Sequence, residues 1–193
     1  MDRYRPAVGT PIEELDTPCL IVDLDAVENN YRAVADRYRG KVCQMRQHTK
    51  NIKSPTLARM QIRAGGAHDG VCTAKLSEAE VMVEAGVPDV MITNQVIGAS
   101  KITRTVALAR AANVIVAVDD SSNVQQLSEI ASAAGAELGV IVEINVGQDR
   151  CGVDGDGGVE LARQIAASPG LRFDGLMGYE GHIVAERDYE TRK

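Results

Sequence analysis

The chain has 193 residues, 45% hydrophobic and 25% charged, which suits one folded domain with a buried core and excludes disorder or low complexity. With 21 Lys and Arg against 27 Asp and Glu the net charge is -6, so no basic field exists to hold a phosphate backbone or an anionic membrane. The longest apolar runs, such as Gly139 to Ile144, are too short to span a bilayer and Met1 to Gly9 lacks a signal peptide's apolar stretch, so a cytoplasmic address is expected.

Met1 to Thr17 is irregular and reads as an arm that lies against something else. After it one pattern recurs: a short β-branched run, a polar or Gly-containing turn, then an amphipathic stretch. The strand-sized runs are Cys19 to Asp23, Val42 to Met45, Gly70 to Thr73, Val90 to Thr93, Val114 to Val118, Leu138 to Val146 and Leu171 to Met177. Helices are expected over Ala26 to Tyr38, Pro55 to Ala64, Ser77 to Ala85, Ser100 to Ala112, Ser121 to Ala134 and Gly157 to Ala167, where apolar residues recur at three- and four-residue spacing. Ser54-Pro55 reads as a cap before a first-turn proline and Ser77 to Glu80 as a capping box, while Gly40, Gly86 and Gly135 mark stops. Val184 to Lys193 reads as the opening of a further helix. Strands apolar on both faces and joined through helices imply a parallel sheet, hence an α/β fold, either a barrel or a doubly wound sheet.

Cys19, Cys43, Cys72 and Cys151 are scattered singly, in or beside apolar runs, and read as reduced, small hydrophobic residues. The histidines, His48, His68 and His182, show no metal-ligand spacing, so no metal site is assigned within the chain. Gly152 to Gly158 lacks phosphate-loop spacing and reads as a surface turn.

In α/β folds ligands gather at the C-terminal ends of strands. There, His48 and Lys50 alternate to the same side, and Lys50 is either a Schiff-base nucleophile or, with Lys53, a solvated charge before a helix. Thr73, Thr93, Asn94, Asp119 and Asp120 close the next strands, where helix capping explains them as well as a site does. Arg150 between two glycines and Tyr179-Glu180-Gly181-His182 form clusters richer than capping needs.

Five ordered motifs carry a resemblance: Thr17 to Ala26, Arg46 to Ser54, Lys75 to Glu80, Ile92 to Val96 and Asp149 to Val153. Together they resemble the D-threonine aldolase and D-serine dehydratase family, which includes the 3-hydroxy-D-aspartate aldolases. The resemblance implies a fold-type III pyridoxal 5'-phosphate enzyme, built like alanine racemase from a (β/α)8 TIM barrel followed by a β-rich domain. It implies that Lys50 carries the cofactor as a Schiff base, that Arg150 contacts the phenolic oxygen, and that Tyr179 lies near the pyridine nitrogen. Asn94 is placed with these cofactor-binding residues, and His48 and His182 are the imidazoles available for proton transfer. Residues 1–40 are then an arm, strand and helix whose strand pairs with the β-rich domain, and 41–193 a partial barrel of about six strands.

The implied reaction is retro-aldol cleavage of a β-hydroxy-D-amino acid to glycine and an aldehyde, with dehydration, a non-catalytic cofactor-binding barrel or remnant, and racemisation as alternatives. Relatives commonly carry Pro or a small residue at Gln47, His at Ile52 and Gln at Ala74. They also run to roughly twice this length. The remainder holds the Gly-rich phosphate loop, the last barrel strands and the ligands of a divalent metal, and the complete protein is expected to be a homodimer. By itself the chain is expected to be inactive and unstable, because an incomplete barrel leaves open edges.

Overall fold

The computed structural model describes residues 4–193, so the first three residues of the expected arm lie outside the described residues. Six strands alternate with helices: α1 (Leu24–Tyr38), β1 (Met45–His48), α2 (Pro55–Ala64), β2 (Ala67–Thr73), α3 (Leu76–Glu84), β3 (Asp89–Gln95), α4 (Ala99–Leu108), β4 (Asn113–Val118), α5 (Ser121–Ala133), β5 (Leu138–Ile144), α6 (Gly155–Ala167) and β6 (Leu171–Gly178). A one-turn helix, α7 (Tyr189–Arg192), follows. The strands form one parallel sheet in the order β1-β2-β3-β4-β5-β6. Sequential neighbours throughout make this a curved barrel wall rather than a doubly wound sheet, whose order would reverse at a switch point. Among the described residues β1 and β6 are edges, and the ring is not closed.

Alternation along each strand divides the core. Leu138, Val140 and Val142 of β5, like Val114, Val116 and Val118 of β4, face the helices and pack with Leu127, Ile165, Ile102 and Met82. Ile115, Ala117 and Ile141 point the other way, into the lumen, with Met91 and Met177 against them. The N-terminal end of the lumen is polar: Arg46 pairs with Asp89, Asn113 donates to Asp89 at 2.7 Å, and Arg172 donates to Asn113 at 2.8 Å and to Asp174 at 2.6 Å. Gly70 makes room for this plug, since a Cβ there would lie 2.6 Å from the Asp89 carbonyl oxygen. With that end filled by paired side chains, the C-terminal end is the one left open.

Several local expectations hold, and others fail for identifiable reasons. Ser54 caps α2 through Leu57 N–H at 3.3 Å, and Asp120 caps α5 through Ser122 and Asn123 N–H at 2.9 and 3.1 Å. The Ser77 capping box does not form, because α3 begins at Leu76. Instead Glu78 accepts the Ala74 N–H at 2.8 Å, and Glu80 pairs with Arg104 from α4. Cys19 to Asp23 is not a strand: Leu20 is 98% exposed, Asp23 caps α1, and the run pairs with neither edge of the sheet. Val42 to Met45 is likewise mostly loop, with Val42 and Cys43 exposed, and β1 starts only at Met45. The helix expected from Val184 onward is confined to α7.

Outside β6 an apolar groove lined by Ile144, Val159, Ala162, Phe173 and Leu176 stays open, in keeping with an incomplete barrel. No helix among the described residues is long and apolar enough to cross a membrane.

Candidate active site

Every strand but β4 brings residues of its own or of the segment just after it to the open end. Polar residues following inward alternation are carried there because the apolar lumen layer below them fixes the strand faces. A cavity of about 420 Å³ results, lined by His48 at the end of β1 and Lys50 beyond it, Ala74 after β2, Thr93 and Asn94 of β3, Glu143 of β5, Arg150 and Cys151 of the following loop, and Met177 and Gly178 of β6 with Tyr179 just after it. Of the residues singled out from sequence, Lys50, His48, Asn94, Arg150 and Tyr179 all line it. His182 does not: it is exposed and lies beside Gly147, where an added Cβ would come within 3.0 Å of His182 Nε2.

Lys50, Arg150 and Tyr179 are far apart in sequence and meet here. Lys50 Nζ lies 5.9 Å from the Tyr179 ring centroid, and the Arg150 guanidinium carbon lies 5.1 Å from it. Both distances are in the range of cation–π attraction, so one aromatic ring helps hold two cations at the cavity wall. The register Ile144↔Gly178 between β5 and β6 brings Tyr179 alongside the loop that carries Arg150.

His48 is ordered through both ring nitrogens. The Lys50 backbone N–H donates to Nδ1 at 3.3 Å, so the ring proton sits on Nε2 and points to Thr93 Oγ1 at 3.2 Å. The Thr93 hydroxyl in turn donates to the Thr73 carbonyl at 3.1 Å. Burial lowers the His48 pKa below its ordinary 6.5, and the Lys50 charge lowers it further, against a smaller opposite pull from Glu78. The neutral form is therefore favoured in the fold. It follows that its contribution to stability is present above pH 6.5 and is lost as the pH falls below 6.5 through the lower folded-state value. An NMR titration of the cofactor-free protein, with the resonance assigned by His48→Asn, should give a His48 midpoint below 6.5; a midpoint at or above 6.5 contradicts the assignment of a half-buried, neutral ring.

Asn94 donates to the Ala74 carbonyl at 3.3 Å and accepts the Gln95 N–H at 3.0 Å, holding the rim of the cavity. Ala74 itself lines the cavity with a methyl group, and Gln47 is buried with its amide donating to His48 O and Asn51 Oδ1 at 3.2 and 3.0 Å. Two of the positions at which this sequence departs from the pattern it resembles therefore bear directly on the cavity or on the strand end that forms it.

Sequence reasoning missed Glu143, which is 4% exposed and accepts a 2.6 Å bond from Gln95 Nε2. A lone carboxylate inside the apolar run of β5 was the available signal. Reading the histidines for ligand spacing also overlooked that Asp119, Glu143 and Cys151 bring donor atoms within 4.8 Å of one another. All four cysteines are free; Cys72 is mostly buried and burial pushes its thiol up to about 11, whereas Cys19 and Cys43 are exposed.

The family model described as "Alanine racemase, N-terminal domain" matches residues 22–193. The chain is 41% identical over 187 residues to the 3-hydroxy-D-aspartate aldolase of Paracoccus denitrificans (strain Pd 1222), covering 96% of this chain and 48% of that protein. The crystal structure of D-threonine aldolase from Filomicrobium marinum superposes with a TM-score of 0.89 at 45% identity, covering 94% of this chain and 49% of that one. D-threo-3-hydroxyaspartate dehydratase from Delftia sp. HT23 is more distant, with a TM-score of 0.75 at 27% identity over 86% of this chain and 44% of that one. The chain thus spans about half the length of the relatives it matches.

Proposed function

Because the chain belongs to the alanine racemase N-terminal domain family, we propose that it is the barrel portion of a pyridoxal phosphate-dependent lyase that cleaves β-hydroxy-D-amino acids. The observation that carries this reading is the meeting of the Lys50 amine, the Arg150 guanidinium and the Tyr179 ring around one cavity. An amine, a hydrogen-bond-donating cation and an aromatic face around about 420 Å³ fit a planar ring bearing an aldehyde and a phenolic oxygen. Similarity to two aldolases above 40% identity favours retro-aldol cleavage over dehydration.

When bound, the cofactor supplies an electron sink for a carbanion at the substrate Cα. The remaining roles fall to the chain's own residues. Lys50 offers the primary amine that would hold the cofactor's aldehyde at the cavity wall. Arg150 would be the hydrogen-bond donor to the phenolic oxygen, and Tyr179, 5.1 Å from its guanidinium, would help hold it in place. Asn94 sets the rim through its bonds to Ala74 and Gln95. His48 orients the Lys50 backbone; it takes a proton only at Nδ1, by giving up the 3.3 Å bond from the Lys50 N–H. Retro-aldol cleavage would need a base to take the β-hydroxyl proton as the Cα–Cβ bond opens to an aldehyde, and a proton returned to Cα to leave glycine; His48, through Nδ1, is the imidazole lining the cavity for that transfer.

Asp119, Glu143 and Cys151 are the cluster of metal-type donors among the described residues. Asp119 Oδ2 accepts the Gly152 N–H at 2.9 Å and Glu143 Oε2 accepts from Gln95, which leaves the other oxygen of each carboxylate without a hydrogen bond among the described residues. No step is assigned to a metal on these residues.

The test is product analysis with the complete polypeptide, cofactor and D-threonine, 3-hydroxy-D-aspartate or D-serine. Glycine with an equimolar aldehyde is the expected result. A keto acid with ammonia would make the protein a dehydratase, and cofactor retention without any product would make it a carrier; either outcome overturns the aldolase reading.

A further inference from the structure

We propose that Asp119 is the positioning residue of Arg150, tying the loop after β5 to the end of β4 so that the guanidinium stays at the cavity wall. The inference rests on the reading of Arg150 as a cofactor contact. Asp119 and Asp120 stand together after β4, and helix capping could have explained both. The structure divides them. Asp120 takes the cap of α5, whereas Asp119 Oδ2 accepts the Gly152 N–H at 2.9 Å, from a residue 33 positions away.

The loop shows why that bond matters. Its base is closed by Asn145 N–H to Val153 O at 2.8 Å and Val153 N–H to Glu143 O at 3.0 Å. Its first half is held internally: Asn145 Oδ1 accepts the Gly147 and Asp149 N–H groups at 3.0 and 3.2 Å, and Asn145 Nδ2 donates to Asp149 at 2.8 Å. Among the described residues, the hydrogen bond from Gly152 N–H to Asp119 is the one that ties Arg150-Cys151-Gly152 to another strand end. The Arg150 side chain has no carboxylate partner within ion-pair distance among the described residues, and its recorded contact is the Tyr179 ring at 5.1 Å.

A long side chain without an ion-pair partner owes its placement to its backbone, and each freedom removed beforehand lowers the cost of reaching a productive geometry. A carboxylate is well suited to the task, because a charge-assisted acceptor binds a backbone N–H more strongly than a neutral one.

The experiment uses the complete polypeptide and the variants Asp119→Ala, Asp119→Asn, Arg150→Ala and the Asp119→Ala/Arg150→Ala pair. In the cofactor-free protein, amide exchange at Gly152 should rise in Asp119→Ala and stay low in Asp119→Asn, which retains an acceptor. With pyridoxal phosphate, Asp119→Ala should lose about 10- to 100-fold in kcat, as expected for a misplaced group, and Asp119→Asn should recover most of it. In the Arg150→Ala background the further loss from Asp119→Ala should vanish, since Asp119 acts through Arg150. Equal losses in both backgrounds, or unchanged exchange at Gly152, overturn the proposal and leave Asp119 a general stabilising residue. Failure of wild type to give a visible band with pyridoxal phosphate, while Gly152 exchange still depends on Asp119, overturns instead the reading of the site on which the proposal rests.

Discussion

Lys50→Ala is expected to abolish the visible absorbance that pyridoxal phosphate gives with the complete protein and to lower turnover of β-hydroxy-D-amino acids by roughly a thousandfold or more, the scale on which loss of a covalent nucleophile is felt. Lys50 is exposed, lies beyond the end of β1 and lines the cavity, so its removal leaves no void in the core and should not change the fold. Lys50→Arg separates charge from nucleophilicity. It keeps a cation near the Tyr179 ring, where Lys50 Nζ now sits 5.9 Å from the centroid, but a guanidinium does not condense with an aldehyde. Both variants should therefore be inactive while unfolding at nearly the wild-type temperature. An active Lys50→Ala, or one that keeps the band, would remove Lys50 from the chemistry.

The second large effect is expected at Gly152. Its φ is +97°, and a Cβ there would stand 2.6 Å from Asn145 N and 2.8 Å from the Ile144 carbonyl carbon, both backbone atoms within the base of the loop. Gly152→Ala must move that backbone, at about 1–3 kcal/mol of local strain. Because Arg150 is two residues away and the Gly152 N–H is the one that Asp119 accepts, the displacement should reach the guanidinium and lower kcat by about 100-fold. Gly155→Ala is the control: nothing lies within 4 Å of its added Cβ, and it opens α6, so it should be neutral or slightly stabilising. Equal activity in the two glycine variants would show that the loop does not govern the site.

What was legible in the sequence follows from which face each residue serves. β4 and β5 are apolar on both faces, so Val114 to Val118 and the core of Leu138 to Val146 read directly as buried strands. β1 does not, because Met-Arg-Gln-His carries Arg46 to the plugged end of the lumen and His48 to the open end; the apolar residues just before it misled the boundary. Cys19 to Asp23 has strand composition, yet a strand exists only against a partner edge. The same-side placement of His48 and Lys50 was legible because alternation is local. The meeting of Arg150 with Tyr179 was not, since it depends on the β5–β6 register, and the barrel itself depends on strand order, which periodicity does not encode. Nor was the separate fate of the two aspartates after β4: the same residue type serves as a helix cap at 120 and as a cross-loop acceptor at 119.

Reductive trapping tests the central claim most directly. The complete protein is mixed with pyridoxal phosphate, reduced with borohydride, digested and mapped by mass spectrometry. The account predicts a single stoichiometric phosphopyridoxyl group on the peptide that contains Lys50. The same mass spread over Lys53, Lys75 and other surface lysines, with Lys50 unmodified, would contradict it.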